Sequence, residues 1–360
     1  MDRALRIGVI GVGLVGSAHI EAIARTGLAE VTAVAASSAE SARRAADRYL
    51  VPRAEADWRS VVEDDSIDVV HNCTPNHLHD EVGRAALAAG KHLVTEKPLA
   101  ATVQEGLGLA RAAEAASVVS ALCHNYRQFA MVVEARELIR EGMIGEVHHV
   151  HGAYLQGWLA PAGVSNWRLD PEVSGVSTTF ADIGTHWCDL AMHLSARRIE
   201  SVCAALSSRH SRPADDHGGV LLRFDGGVLG TVTASQVSPG AGNSLRIRLD
   251  GAYGALYWVL ERPEDLWLGR ANGPTELRRK SPPELHESAR LRAHRPAGEI
   301  EGWNTTFVNL FSSVYRRIKG EPLPGDDCVA TLSDGLLLMR VVDAVAQSNS
   351  ERSWLDLPRP

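Results

Sequence analysis

A glycine cluster directly after a short apolar segment constrains the fold of this chain more than any other feature. Residues 5–10 form an apolar run typical of a buried strand, residues 11–16 read GVGLVG, and a segment with helical spacing follows. In such a turn, Gly11 permits the tight bend, Gly13 lets a pyrophosphate approach the backbone, and Gly16 allows the helix to pack closely on the strand. The sequence therefore predicts the first βα unit of a dinucleotide-binding fold.

The first third of the chain repeats this strand–helix unit. Further strands are predicted at residues 31–36, 67–73, 92–95 and 118–123, and helices at residues 39–49, about 79–89 and 103–116. Strands that alternate with helices of this length indicate a parallel sheet with helices on both faces. An α/β, Rossmann-type doubly wound domain is therefore expected for residues 1–123.

The pattern changes after about residue 124. Short turns join strands predicted at residues 148–154, 199–206, 219–224, 228–235, 244–250 and 255–259, and helices are predicted near residues 129–141, 183–194 and 305–319. Asp225-Gly226-Gly227 is a hairpin signal between two of these strands. Residues 124–360 should therefore form a second, α+β domain with an open, mostly antiparallel sheet. Residues 276–295 show no clean period and are expected to form an exposed excursion.

Composition narrows the class of protein. The net charge of −7 argues against a nucleic-acid partner, and no uninterrupted apolar run approaches the ~18 residues that cross a bilayer. The first residues do not have the basic and apolar regions of a signal peptide. Five cysteines without a CxxC pair indicate neither a disulfide framework nor a zinc knot. A cytoplasmic protein with reduced thiols is expected.

The end of the second strand bears on the choice of dinucleotide. An Asp or Glu often binds the ribose hydroxyls there, but this strand ends Ala35-Ala36 and is followed by Ser37, Ser38 and Arg43. These three residues could bind a 2′-phosphate. Alternatively the serines only cap the next helix and the arginine is solvated. The cofactor is therefore predicted to be NAD or NADP, without a choice between them.

Two further segments follow strands at the carboxyl edge, where doubly wound sheets bind ligands. Thr74, Pro75, Asn76 and His79 follow the third strand, and Glu96 with Lys97 follows the fourth. Together with Gly11, Gly13, Leu14, Val15 and Gly16, these residues are predicted to bind the cofactor. Lys97 is also a candidate to hold a substrate oxygen, although a lysine at such a position is often only an exposed charge.

A carboxylate and an imidazole lie four residues apart in the second domain. Asp182 and His186 would share one helix face, where the carboxylate can orient the imidazole and raise its basicity. A capped helix with a buried histidine would show the same pattern. His149 and His151 face the same side of a strand, but no third ligand at convincing spacing is visible, so no metal is expected.

The motifs taken together carry a resemblance. GVGLVG at residues 11–16, DVVHNCTPNHLH at 68–79, AGKHLVTEKPLA at 89–100 and ADIGTHWCDL at 181–190 resemble the glucose–fructose oxidoreductase/inositol dehydrogenase/rhizopine catabolism (Gfo/Idh/MocA) family. The resemblance implies an N-terminal Rossmann domain and a C-terminal domain whose sheet commonly mediates dimers or tetramers. It also implies that Lys97 contacts the substrate oxygen and the nicotinamide, with Asp182 and His186 beside the substrate.

Within that family, one segment resembles enzymes of pyranose sugars, anhydrosugars and glycosides. Its predicted substrate-binding residues are Tyr154, Gln156, Trp158, Asn166, Trp167 and Arg168, in addition to Lys97, Asp182 and His186. They offer the amide, guanidinium and aromatic groups that a sugar needs. The chain departs from the family's frequent three glycines at Gly175-Val176-Ser177, and it has no acidic ribose-binding residue.

These observations predict an NAD(P)-dependent oxidoreductase. The substrate would be a ring secondary alcohol or ketone of a sugar, glycoside or cyclitol, with C3 of a pyranoside as one position. His186 would take the hydroxyl proton, Asp182 would orient the imidazole of His186, and Lys97 would polarise the oxygen. Three alternatives remain open: a ketoreductase in deoxysugar or antibiotic biosynthesis, an enzyme that oxidises transiently to permit elimination or hydrolysis, and a non-catalytic NAD(P)-sensing protein.

Overall fold

The chain divides into two compact units. The computed structural model describes residues 3–164, 166, 169–170, 175–212, 214–321 and 327–358. One unit comprises Met1–Gln128 with Trp303–Leu336, and the other comprises Phe129–Gly302 with Leu337–Pro360. The first unit contains the predicted dinucleotide-binding residues, and the second contains Asp182, His186 and the predicted sugar-binding segment.

The first unit contains a parallel sheet. Within the described residues its six strands have the order β3-β2-β1-β4-β5-β6, and every adjacent pair is parallel. The strands are β1 Leu5–Ile10, β2 Ala29–Ala35, β3 Arg53–Glu55, β4 Val69–Asn72, β5 His92–Thr95 and β6 Ser120–Leu122. This order confirms the predicted doubly wound sheet. The β3 strand was not predicted, because three residues of which two are charged do not form a recognisable strand pattern.

Helices flank both sheets. In the described residues they are α1 Leu14–Thr26, α2 Ala39–Tyr49, α3 Arg59–Val62, α4 His79–Ala88, α5 Val103–Ala115, α6 Ala130–Arg140, α7 Thr185–Ser195, α8 Glu287–Arg290, α9 Trp303–Ile318 and α10 Leu332–Glu351. None of these helices combines the length and hydrophobicity needed to cross a bilayer.

The core of the first unit explains why β1 is a mostly apolar segment. Ile7 and Val9 are fully buried, and they belong to one apolar cluster with Ile23 of α1 and with Phe311 and Val314 of α9. Strands covered on both faces need apolar residues at every position. Each such side chain contributes about 1.5–3 kcal/mol when fully buried.

The second unit is built on a larger sheet. Its nine described strands have the order β14-β13-β12-β11-β7-β10-β9-β8-β15. Their bounds are β7 Val147–Gln156, β8 Ile199–Ser207, β9 His217–Phe224, β10 Leu229–Ser235, β11 Asn243–Gly251, β12 Gly254–Val259, β13 Asp265–Arg270, β14 Glu276–Arg279 and β15 Leu355–Asp356. The β10–β7 pair is parallel and the other pairs are antiparallel, which confirms the predicted sheet type.

The two faces of this sheet differ. A Cβ at Gly152 would lie 2.6 Å from Nε1 of the buried Trp187, so β7 faces α7 on the side of Gly152. Because side chains alternate along a strand, Tyr154 and Gln156 also belong to this side, and His149 and His151 belong to the opposite one. The helix-covered face therefore carries the predicted sugar-binding residues of β7.

The segment at residues 276–295 was interpreted incorrectly. Its first residues form β14, which pairs with β13, and its later residues include the buried Leu285 and Ala289. Charged residues are common on short edge strands, where they discourage pairing with other chains. Because of these charges, the sequence pattern did not predict the strand.

Candidate active site

The glycine loop is shaped by two glycines and leaves room at a third. Gly11 has a φ of +92°, and a Cβ there would lie 2.3 Å from the carbonyl oxygen of Cys73. A Cβ at Gly16 would lie 1.9 Å from the carbonyl oxygen of Gly11. At Gly13, in contrast, no described atom lies within 4 Å of the position that a Cβ would take. The packing of the protein therefore requires Gly11 and Gly16, whereas the open space at Gly13 suits a ligand.

The start of α1 has the features expected for binding a pyrophosphate. The helix begins at Leu14 after Gly13, which offers no side chain to cap the first-turn N–H groups. These N–H groups and the helix dipole favour an anion. Leu14 itself is 84% exposed, so an apolar side chain borders the same space. The residues present therefore fit the predicted dinucleotide.

Among the described residues after β2, Ser38 and Arg44 are already engaged, whereas the exposed Ser37 and Arg43 are available. Ser38 caps α2, with its Oγ accepting from the N–H of Ser41 at 3.2 Å. Arg44 is paired with Glu40. Arg43 is exposed and, within the described part of the chain, makes no side-chain hydrogen bond or ion pair. Arg43 is therefore the cation available to a 2′-phosphate.

The loop after β4 is fixed by a buried histidine. The ring nitrogens of His79 lie 2.8 Å from the carbonyl oxygen of Thr74 and 2.6 Å from that of Pro98. Asn72 at the end of β4 accepts a hydrogen bond from the Thr74 hydroxyl at 2.7 Å. Burial lowers the pKa of His79 even though both carbonyls oppose this. His79 thus joins the two segments of the carboxyl edge that were predicted to bind the cofactor.

A series of buried side chains, hydrogen-bonded to one another, supports Glu96, which directly precedes Lys97. His19 Nε2 lies 3.1 Å from Glu96 Oε1, His19 Nδ1 lies 3.0 Å from His71 Nδ1, and the Tyr315 hydroxyl lies 2.9 Å from His71 Nε2. Glu96 Oε2 accepts a hydrogen bond from the backbone N–H of Lys97 at 3.2 Å. The carboxylate of Glu96 therefore fixes the backbone from which Lys97 projects.

A single assignment of protons satisfies every hydrogen bond in this series of buried side chains. Burial raises the pKa of Tyr315, so its hydroxyl keeps the proton and donates to His71 Nε2. Burial and His19 lower the pKa of His71, which stays neutral and donates from Nδ1 to His19. His19 then donates from Nε2 to Glu96. Burial opposes ionisation of Glu96, but His19 and Lys97 together lower the pKa of its carboxyl group.

In the second unit, Asp182 lies in a turn of π-helix that precedes α7. This turn spans Phe180–Gly184, and the N–H of Thr185 bonds the carbonyl of Phe180. The carboxylate of Asp215 accepts from the N–H groups of Thr178 and Phe180, both at 3.0 Å, and thereby anchors the start of the turn. The predicted regular helix is therefore locally widened at this position, a feature frequent at functional sites.

Gln236 connects Asp182 to the predicted sugar-binding strand. Its amide nitrogen donates to Asp182 Oδ2 at 2.8 Å and lies 3.2 Å from Gln156 Oε1, and its carbonyl accepts from the Thr179 hydroxyl at 2.9 Å. Gln236 is fully buried. Its only sequence signal is its position directly after the predicted strand 228–235.

Asn243 organises the predicted sugar-binding residues. Its Oδ1 accepts from the Tyr154 hydroxyl at 2.9 Å and from Gln156 Nε2 at 2.8 Å. Trp158 Nε1 donates to Gln156 Oε1 at 3.1 Å. The structure thus brings Tyr154, Gln156 and Trp158 together, and their binding of a substrate stays a prediction.

The catalytic histidine candidate belongs to the same part of the second unit. The rings of Tyr154 and His186 are 6.2 Å apart between centroids, and His186 is buried. Asn166 is half-buried, and its carbonyl accepts from the N–H of Leu169. Trp167 and Arg168 lie outside the described residues, so their predicted roles stay predictions.

Comparison with known families covers most of the chain. Residues 5–124 match the GFO/IDH/MocA oxidoreductase family with an NAD-binding Rossmann fold, and residues 132–257 match the GFO/IDH/MocA C-terminal domain. The two matches coincide with the parallel sheet of the first unit and with much of the large sheet of the second.

Individual relatives match over nearly the full length. Levoglucosan dehydrogenase of Pseudarthrobacter phenanthrenivorans is 29% identical over 99% of this chain and 98% of its own length. The dTDP-3,4-didehydro-2,6-dideoxy-α-D-glucose 3-reductase of Streptomyces violaceoruber is 29% identical over 96% of this chain and 96% of its own length. A solved structure of levoglucosan dehydrogenase with NADH and levoglucosan has a TM-score of 0.91 and 29% identity, covering 99% of this chain and 100% of that chain.

Proposed function

The chain belongs to the Gfo/Idh/MocA family, and from that premise we propose that it interconverts a ring secondary alcohol and ketone at C3 of a pyranose sugar or anhydrosugar. The broader class is an NAD(P)-dependent oxidoreductase that acts on ring alcohols or ketones of sugars or cyclitols. The names of the two relatives, an anhydrosugar dehydrogenase and a 3-reductase, support the narrower substrate and position.

One observation carries the proposal: Gln236 bonds both Asp182 and Gln156. A carboxylate suited to proton chemistry is thereby tied to an amide suited to a sugar hydroxyl, in a cluster that also contains Tyr154 and Asn243. A site that hydrogen-bonds substrate hydroxyls discriminates strongly against analogues that have none. This combination favours a sugar dehydrogenase over a protein that only senses a dinucleotide.

His186 and Lys97 are proposed to act on the reacting hydroxyl, and Asp182 to act through His186. His186 accepts the proton of this hydroxyl, Asp182 orients the imidazole, and the ammonium of Lys97 donates a hydrogen bond that stabilises negative charge on the oxygen. The loop Gly11–Gly16 would hold the dinucleotide, which when bound supplies the hydride acceptor at its nicotinamide. Positioned acid–base groups of this kind contribute about 10²–10⁴-fold to the rate.

The experiment is a screen of pyranoses, anhydrosugars, glycosides and cyclitols with NAD⁺ and NADP⁺, followed by absorbance of the reduced nicotinamide. We expect turnover of a pyranose-type substrate, and we expect Lys97→Ala and His186→Ala each to reduce kcat while dinucleotide affinity stays largely constant. Because both residues act on one oxygen, the double variant should be much less than multiplicatively slower. Dinucleotide binding without turnover of any substrate, in either direction, would refute the proposal in favour of sensing.

We also propose that the chain assembles as a homodimer or homotetramer. Leu221, Leu229 and Leu277 on strands of the large sheet are between 42% and 50% exposed, and exposed apolar residues of a sheet are often covered by a partner chain. Light scattering after size-exclusion chromatography tests this, and a monomer at micromolar concentration would contradict it.

The proposed location is the cytoplasm. All five cysteines are free thiols in the structure, as is usual in a reducing compartment. Fractionation of cells that express the protein tests the location.

A further inference from the structure

A group of metal-ligating side chains lies on the face of the large sheet opposite to Tyr154 and Gln156. We propose that His149, His151 and Asp250 form a binding site for a divalent transition-metal ion of the Zn²⁺ type. The site is independent of the proposed reaction, because none of its residues belongs to the proposed catalytic or sugar-binding set.

The strands place the three ligands on one side. His149 and His151 are two residues apart on β7, so both side chains point to the same face. Asp250 lies directly opposite His149 on the antiparallel neighbour β11. One potential ligand atom from each residue lies within 4.8 Å of the others. The paired strands β7 and β11 therefore hold all three ligands in place, and none of the ligands lies on a loop.

The separations between ligand atoms are close to those of a tetrahedral site. Asp250 Oδ2 lies 3.3 Å from His151 Nε2 and 3.7 Å from His149 Nδ1. Bonds from zinc to nitrogen and oxygen of about 2.0–2.1 Å place tetrahedral ligand atoms roughly 3.4 Å apart. The imidazole rings are stacked, with 4.8 Å between their centroids and an interplanar angle of 21°, so the rings would tilt toward each other to share one ion.

The chemistry of the ligands selects the class of ion. Two imidazoles and one carboxylate suit Zn²⁺, Ni²⁺ and Cu²⁺, whereas Mg²⁺ and Ca²⁺ prefer sites made of oxygen. Three protein ligands leave a fourth position, which water or a group of a second copy of the chain would fill.

A neighbouring side chain holds the carboxylate of Asp250 in an orientation that suits metal binding. Arg248 Nε donates to Asp250 Oδ1 at 2.8 Å, which fixes the carboxylate and leaves Oδ2 directed to the histidines. Such hydrogen bonds to ligating carboxylates are usual at metal sites.

The experiment uses the full-length protein in its own oligomeric state, stripped of metals with a chelator and titrated with Co²⁺ and Zn²⁺. We expect one equivalent of Co²⁺ to give visible bands of a nitrogen–oxygen site, without the near-ultraviolet charge-transfer band that a cysteine ligand produces. Zn²⁺ should displace the Co²⁺ and raise the unfolding temperature. His149→Ala, His151→Ala and Asp250→Asn should each weaken binding at least about 10–100-fold.

His148 provides the matched control. It directly precedes His149 in sequence and is exposed, and it does not belong to the group of ligand atoms that lie within 4.8 Å of one another, so His148→Ala should bind metal like the wild type. Asp250→Asn conserves the size of the side chain, and circular dichroism verifies the fold of each variant. The proposal is overturned if the wild type binds no stoichiometric metal, if the three ligand variants bind unchanged, or if His148→Ala loses the site equally.

Discussion

The side-chain amide of Gln236 donates a hydrogen bond to Asp182, with 2.8 Å between Nε2 and Oδ2. The same amide group lies 3.2 Å from Gln156 Oε1, and its carbonyl is held by Thr179. Gln236 thus uses both donors and its acceptor on three neighbours and sets the distance between the carboxylate of Asp182 and the amide of Gln156, which we propose binds a sugar hydroxyl. It is a positioning residue whose loss should affect turnover.

We expect Gln236→Leu to reduce kcat/KM by about 10²-fold, because small displacements of groups around a reacting atom have effects of this size. The affinity for the dinucleotide should not change, since Gln236 belongs to the second unit. Steady-state kinetics and a binding titration of NAD(P)H test both statements. Gln347→Leu is the control, because Gln347 bonds Glu351 on an exposed surface. Equal kinetics in the two variants would exclude a positioning role for Gln236.

Substitutions at two glycines of the loop should separate ligand binding from folding. Gly13→Val places a branched side chain in space where no described atom lies within 4 Å, so the unfolding temperature should stay near that of the wild type while dinucleotide affinity is lost. Gly16→Ala forces a methyl group to within 1.9 Å of the Gly11 carbonyl oxygen and should lower the unfolding temperature. Thermal denaturation and NAD(P)H fluorescence measure the two effects. Unaltered affinity in Gly13→Val would refute the assignment of the loop.

The choice between NAD and NADP can be tested at two adjacent arginines. If NADP binds more tightly than NAD, Arg43→Ala should reduce the ratio of the two affinities by about 10–100-fold. This is the loss expected for one charge-assisted hydrogen bond to phosphate. Arg44→Ala should leave the difference unchanged, because Arg44 is already paired with Glu40. Equal or tighter binding of NAD by the wild type would show that Arg43 is only a surface charge.

The buried His71 should make stability depend on pH. Burial, with His19, holds the pKa of His71 well below that of an unfolded histidine, about 6.5. As the pH falls below 6.5, the unfolded chain therefore binds a proton before the folded one, and stability decreases by up to about 1.4 kcal/mol per pH unit. Urea unfolding between pH 7.5 and 5.5 should show a shallower slope in His71→Gln than in the wild type. An identical slope, or the same change in the exposed His210→Asn, would contradict this.

The sequence predicted the elements well where a single pattern determines them. The predicted strand at residues 5–10 coincides with β1, and the predicted helices at residues 39–49 and 103–116 match α2 and α5 to within one residue. Fully buried strands and capped amphipathic helices produce such patterns locally. The Asp225-Gly226-Gly227 hairpin is likewise confirmed, with both glycines at positive φ.

The residues that were missed depend on contacts between distant segments. His19 supports Glu96 from α1, Gln236 reaches Asp182 and Gln156 from the position after β10, and Asn243 reaches Gln156 from β11. A single polar residue next to a strand end gives no local sign of its partner, since sheet register decides which residues meet. For the same reason the sequence offered no third ligand for His149 and His151, although Asp250 lies opposite His149.

The last prediction concerns the choice of substrate, which we expect to depend on the group around Gln156 in the second unit. Gln156 and Tyr154 share Asn243 Oδ1, so Asn243→Ala should reorient both and change the order in which sugars are preferred by kcat/KM. Gln156→Ala and Arg168→Ala should change that order as well, because each removes a proposed donor to a sugar hydroxyl. Dinucleotide affinity should stay constant in all three variants. Thr233→Ala, exposed on β10, is the control. An unchanged order of sugars in every variant, with activity intact, would place the determinants of specificity outside this group.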